Sequence, residues 1–234
     1  MGVRPNGEQI DWFTEGLTDY YAHRLLLQAG VLSATDYIDS MNLALRRFPG
    51  STDPYIRGRI IGLWLDAAVR QKSHDRHSLD DVMLEMIRTR DRPLTQGRIL
   101  KTIAPHISPE DRSALDAAVT GHAAVAAPAH APSVTGCVRP FLVEVPTFDL
   151  GFDVTESRAS GKVTGVRPDS AAYAAGLREG PVLTGRVSVT NNDPERAVVL
   201  GVRDDAGERD VQFFPKGLPM QAWQYRIGDC VSGR

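Results

Sequence analysis

The stretch WFTEGLTDYY, Trp12 to Tyr21, sets two carboxylates, Glu15 and Asp19, four residues apart among bulky apolar side chains. On a helix that spacing puts both acids on one face. Like charges there repel mildly unless a cation lies beside them, and a metal ion with its histidines would be such a cation. In helical zinc sites two histidines one turn apart bind the metal, and a third ligand, often Glu, arrives from a later helix. A carboxylate one turn past that Glu can hold a ligand histidine by its other ring nitrogen. The plainer alternative is a helix whose first-turn acid answers to the helix dipole and whose polar face meets water.

The other reactive residues form no second site. His74 and His77, in HDRH, are three residues apart and could bind a metal with Asp75 or Asp80, but they lie in a polar connector and read as an exposed loop. His122 and His130 fall in an Ala/Pro-rich stretch. The sequence contains no GxSxG nucleophile elbow and no glycine-rich phosphate loop. Cys137 and Cys230 make neither a disulfide scaffold nor a zinc ribbon; they read as free thiols, with one bridge between them as the alternative.

Elements of regular structure must position these groups. Trp12, Phe13, Leu17, Tyr20, Tyr21, Leu25 and Leu26 recur at helical spacing, so one amphipathic helix is expected up to Gly30. Ser33 with Asp36 starts a second helix, which stops at Pro49-Gly50. Asp53-Pro54 opens a third, with Ile56, Ile60, Leu63, Trp64 and Ala67 on its buried side. Ser78 with Asp81 caps a fourth, Thr95 begins a short fifth, and SPED at Ser108 begins a sixth running to about Thr120.

Beyond it, GHAAVAAPAHAPSVTG reads as a linker. The period then changes. FLVEV, GFDV, KVTGV, RVSVT, AVVLGV and DVQFF read as short strands, DDAG as a hairpin turn, and SAAYAAG as one helix. The expected class is α+β: a helical domain over 1–120, a linker over 121–136, and a small β-rich domain over 137–234.

Composition sets the bounds. The chain has 234 residues, 42% hydrophobic and 24% charged, with a formal net charge of −2. The basic residues are scattered, so no nucleic-acid partner is expected. No apolar run approaches the ~20 residues that span a bilayer, and the N-terminus shows no signal-peptide h-region, so no membrane partner is expected either. As it stands the chain reads as cytoplasmic; an exported precursor would place it in the periplasm.

WFTEGLTDYYAHRLLLQAG resembles the segment that follows the zinc motif in M61-family aminopeptidases, the glycyl-aminopeptidase group of gluzincins. PYIRGRIIGLWLDAAVR and SLDDVMLEMI are similar to that family's next helices. FDLGFDV and VTGVRPDSAAYAAGLREGPVL resemble the PDZ-like domain that ends its members. The resemblance implies a zinc aminopeptidase in the intact family. It makes Glu15 the third zinc ligand, Asp19 a support for a ligand histidine, and Tyr55 a hydrogen-bond donor to the tetrahedral oxyanion.

The family's HExxH is absent from the sequence: none of His23, His74, His77, His106, His122 and His130 begins one. Two zinc ligands and the general base are thus missing. The expectation is no zinc held by this chain alone and no activity alone, unless a segment bearing HExxH comes from upstream. The alternative expectation is a non-catalytic module. In it Leu150, Gly151 and Phe152 of DLGF would form a PDZ-like carboxylate-binding loop for peptide or protein termini.

Overall fold

The structure is a computed structural model, and it describes residues 10–48, 51–120, 137–185 and 193–228. The chain is α+β and divides into two compact units, Met1–Val143 with Ala222–Arg234, and Glu144–Gln221. The 121–136 linker and the RVSVT strand lie outside the described residues. Among the described residues no helix is long and apolar enough to cross a membrane.

The first unit carries α1 (Asp11–Thr14), α2 (Gly16–Gln28), α3 (Ala34–Arg47), α4 (Pro54–Ser73), α5 (Leu79–Arg88), α6 (Gln96–Ile103) and α7 (Pro109–Thr120). The sequence signals for these starts correspond to real caps. Ser33 and Ser78 close capping boxes with Asp36 and Asp81, Asp53 caps α4, and Thr95 caps α6. The expected first helix is interrupted at Glu15, giving α1 and α2 where one was foreseen.

α4 is the axis of this unit. Ile60, Ile61, Leu63, Leu65 and Val69 are buried, and so is Asp66. The Asp66 carboxylate accepts from the Leu79 backbone N–H at 2.8 Å, from Arg70 Nε at 3.1 Å and from the Tyr20 hydroxyl at 3.3 Å. One acid thereby ties α2, α4 and the start of α5 together.

A second tie joins α2 to α5. Arg24 donates twice to Asp80, at 2.8 Å to each oxygen, and Tyr21 Oη donates to the same carboxylate at 2.8 Å. Burial pushes the Asp80 pKa up, but the hydrogen bonds from Arg24 and Tyr21 outweigh it, so the carboxyl is held below its ordinary value. A depressed native pKa stabilises the fold above the unfolded value of about 3.9. That contribution is lost as pH falls through the native value. Urea unfolding followed from neutral pH into acid should show this loss in the parent chain and a shallower one in Arg24→Met. An identical acid dependence in the two would assign the loss to other groups.

Two strands, β1 (Cys137–Phe148) and β5 (Lys216–Gly228), pair in a two-stranded sheet. β5 was not anticipated, because KGLPMQAWQYRIG lacks clean alternation and carries Gly and Pro. Its Ala222–Gly228 part belongs to the first unit, where the sequence reading had assigned 137–234 to one module. The reason is local. The Asn42 side chain on α3 acts as a strand partner, donating to the Tyr225 carbonyl at 2.8 Å and accepting from the Tyr225 N–H at 2.7 Å. Arg46 donates to Gln224 Oε1 at 2.8 Å, and the Tyr225 ring is buried in the helical core.

The second unit contains α8 (Val154–Ser160), α9 (Ala171–Ala174), β2 (Val182–Leu183), β3 (Val198–Asp204) and β4 (Gly207–Phe213). The sheet order is β2-β3-β4, antiparallel, and the β3–β4 register closes with Asp204 opposite Gly207, as the DDAG turn requires. Val198, Leu200 and Val202 alternate inward onto Phe152, Val163, Leu177, Val211 and Phe213.

Two expected strands differ here. GFDV does not extend: Asp153 caps a helix by accepting from Glu156 N–H at 2.9 Å, and Gly161 ends it in the left-handed region. D-V-T-E is a helix-start signal that outweighs the Phe and Val content. KVTGV contributes one isolated bridge, Lys162 to Val182.

Candidate functional site

Glu15 sits at the joint between α1 and α2. Its backbone stays helical (φ −89°, ψ −45°), its N–H donates to Asp11 O at 2.9 Å, and its carbonyl accepts from Asp19 N–H at 3.0 Å. The interruption coincides with a close crossing. A Cβ on Gly58 would lie 2.0 Å from the Trp12 carbonyl oxygen and 2.3 Å from Gly16 Cα. A Cβ on Gly16 would lie 2.2 Å from Gly58 Cα and 2.5 Å from Pro54 O. One turn on, a Cβ on Gly62 would lie 2.8 Å from both Leu17 Cδ2 and Tyr20 Cγ. Two glycines four apart on α4 thus let α2 lie against its backbone.

The crossing sets two side-chain rungs. Tyr55 Oη on α4 donates to Glu15 Oε2 at 2.8 Å. One turn later, Arg59 Nε on α4 donates to Asp19 Oδ2. Both partners advance by four residues, so α2 and α4 run in the same direction. Asp53, which caps α4, accepts from the Tyr55 N–H at 2.9 Å and fixes the first rung's backbone. The hydrogen bond to Glu15 stabilises the neutral phenol and holds the Tyr55 pKa above its ordinary value. Glu15 and Tyr55 are both exposed, Tyr55 at 49%.

The Asp19 carboxylate is bound to Arg59, whose Nη1 also donates to Ser40 Oγ on α3 at 2.9 Å. His23 Nδ1 lies 3.6 Å from Asp19 Oδ1 and 2.9 Å from the Asp19 carbonyl oxygen, its natural acceptor. Asp19 thus pins α2 against α3 and α4. The sequence reading missed Arg59, although Tyr55 and Arg59 repeat the spacing of Glu15 and Asp19.

Among the described residues no group of three or more His, Cys, Asp or Glu is gathered for a metal ion. Zinc in catalytic sites takes three protein ligands. The described residues do not by themselves bring together three such ligands. His74 and Asp75 occupy the left-handed turn after α4, and His77 lies 3.6 Å from Asp81 in an exposed pair. HDRH is therefore a helix exit.

In the second unit the Leu150-Gly151-Phe152 segment is a turn. Gly151 adopts φ +76°, and a Cβ there would lie 2.4 Å from Ser170 Cβ. The Gly151 N–H donates to Asp149 Oδ1 at 2.9 Å, and Asp149 is paired with Arg167. Phe152 is buried in that unit's core. One of the three loop N–H groups is thus satisfied internally, and the chain after Phe152 coils into α8.

Two comparisons with known proteins found a likeness. Residues 3–78 match the M61 glycyl aminopeptidase family. A solved structure, the aminopeptidase N family protein from Idiomarina loihiensis, is similar in fold, with a TM-score of 0.58 and 15% identity over 95% of this chain. The match covers 47% of that protein, so the chain spans about half its length. No curated protein matches the sequence. Residues 3–78, which contain Glu15, Asp19 and Tyr55, are M61-like.

Proposed function

We propose that the chain supplies the third-ligand part of an M61-type zinc aminopeptidase site and does not act alone. Glu15 is the ligand, and Tyr55 is the donor to the oxyanion that develops during peptide cleavage. The observation that carries this reading is the 2.8 Å hydrogen bond between Tyr55 Oη and Glu15 Oε2. It sets a candidate ligand and a candidate oxyanion donor side by side from two helices forty residues apart in number, held by backbone contact. The metal, where bound, would polarise the scissile carbonyl. Its remaining ligands and the general base would come from a segment bearing HExxH.

The test joins an HExxH-bearing segment to this chain and measures zinc content and hydrolysis of an aminoacyl p-nitroanilide. Glu15→Ala should remove both. Tyr55→Phe should retain zinc and lower kcat by about 10²–10³-fold, the usual cost of one oxyanion donor. Unchanged zinc and activity in Glu15→Ala would rule the assignment out.

The other reading, a PDZ-like module for chain termini, has less support. A peptide adding as a strand needs an extended neighbour beside the carboxylate loop. The residues after Phe152 are helical, and the Gly151 N–H is taken by Asp149.

A further inference from the structure

α5 ends in a basic turn. From Met86 to Lys101 the chain carries Arg88, Arg90, Arg92, Arg98 and Lys101 against Asp91 alone, in a chain whose formal net charge is −2. Of the four arginines, Arg98 is used by the fold. Its guanidinium donates to the carbonyls of Met86 and Pro93, each at 3.2 Å, to those of Thr89 and Arg92, and to Thr89 Oγ1 at 2.7 Å. Thr89 Oγ1 in turn donates to the Glu85 carbonyl at 3.1 Å. A cation near a helix C-terminus ordinarily answers the last carbonyls, and here Arg98 does so.

Arg88, Arg90 and Arg92 are therefore not needed to end α5. Their side chains are exposed and make no hydrogen bond or ion pair among the described residues. Glu85, the acid just before the turn, is bound to His106 at 3.1 Å. Like charges this close repel, and the fold draws no compensating contact from these three. The turn that carries them is nonetheless ordered: the Arg90 and Arg92 N–H groups donate to the Ile87 and Thr89 carbonyls, each at 3.2 Å.

Apolar surface adjoins the charge. Leu84, Ile87 and Arg88 stand at i, i+3 and i+4 on α5 and share one face, and Leu84 and Ile87 are 50% and 53% exposed. The complement of this surface is anionic at the turn and apolar along the helix. Nucleic acid is met by a basic stripe on a basic domain, and this chain is acidic overall. An anionic bilayer is met by about four to eight basic residues in one cluster; three arginines with Asp91 among them fall short. Three planar forks, each able to take a carboxylate bidentately, beside two apolar side chains fit a short acidic peptide.

We propose that the end of α5 docks an acidic amphipathic segment of a partner protein, with its carboxylates on Arg88, Arg90 and Arg92 and its apolar side chains on Leu84 and Ile87. The proposal does not depend on how Glu15 is read.

The probe is a labelled synthetic peptide of about 11 residues, three helical turns, with Leu at i, i+3 and i+4 and three Glu flanking that stripe. Anisotropy with the full chain should show binding that weakens as salt is raised. Replacing all three arginines by Ser should weaken it at least about 10-fold, as the joint loss of three exposed charge pairs predicts. Leu84→Ser should weaken it several-fold at any salt concentration. A peptide with Lys in place of Glu should not bind the parent. It should bind Arg88→Glu/Arg90→Glu/Arg92→Glu, a gain that misfolding cannot produce.

Equal binding by the parent and the triple Ser variant, or no binding by the parent, overturns the assignment. Phosphatidylserine vesicles or a single-stranded oligonucleotide bound through the three arginines, with the acidic peptide left unbound, would give the turn to lipid or nucleic acid and overturn it too. So would sedimentation showing self-association that the triple Ser variant abolishes and the peptide does not displace.

Discussion

Gly58→Ala should destabilise the helical unit by about 3 kcal/mol or more, beyond the usual cost of one added methyl in a packed core. The new Cβ would meet the Trp12 carbonyl oxygen at 2.0 Å and Gly16 Cα at 2.3 Å, and both are backbone atoms. No rotamer change relieves such a clash; α2 has to move off α4. Gly97→Ala is the contrast, since nothing lies within 4 Å of the added atom on α6. There the substitution removes a glycine from a helix and should stabilise by up to about 1 kcal/mol.

Trp12, Trp64 and Trp223 all belong to the first unit, so tryptophan fluorescence in urea reads that unit directly. A loss below about 1 kcal/mol for Gly58→Ala, within the range of an ordinary substitution, would mean that the two helices are not in backbone contact. The same displacement would separate Tyr55 from Glu15. Gly58→Ala should therefore disturb the candidate site without touching either side chain.

The second large effect is expected at Asp66. Asp66→Ala leaves the buried Leu79 N–H without its acceptor and deprives Arg70 of its carboxylate. Removing one member of a buried, charge-assisted network costs about 3 kcal/mol or more. Asp66→Asn keeps an oxygen for Leu79 and should cost less, about 1–2 kcal/mol, although its amide nitrogen no longer accepts from Arg70 and Tyr20. Amide exchange should show where the loss falls: protection should drop first at the start of α5, the end that Asp66 anchors. If both variants unfold at the parent's urea midpoint, the carboxylate is not the clamp described.

These two positions show how unevenly the structure was legible in the chain. Helix starts were readable because a cap is a local contract: Ser33 with Asp36 and Ser78 with Asp81 satisfy backbone N–H groups three residues away whatever the rest does. The same locality misled at GFDV, where the apolar Phe and Val suggested a strand while Asp153 and Glu156 had already begun a helix. β5 was missed because its buried Tyr225 is recognised by Asn42, 183 residues away. No window of sequence contains both.

For the candidate site, the sequence by itself determined that Glu15 and Asp19 share a helix face, since four-residue spacing is a property of the helix. It also determined that HExxH is absent. Only the tertiary structure decided what meets those carboxylates. The crossing at Gly16 and Gly58 delivers Tyr55 to Glu15 and Arg59 to Asp19, leaving the first acid exposed beside a phenol and binding the second into a structural pair. The physical reason is range. A helix fixes neighbours within a turn through its own hydrogen bonds, but which helix lies opposite depends on where two backbones can approach, and two missing side chains set that.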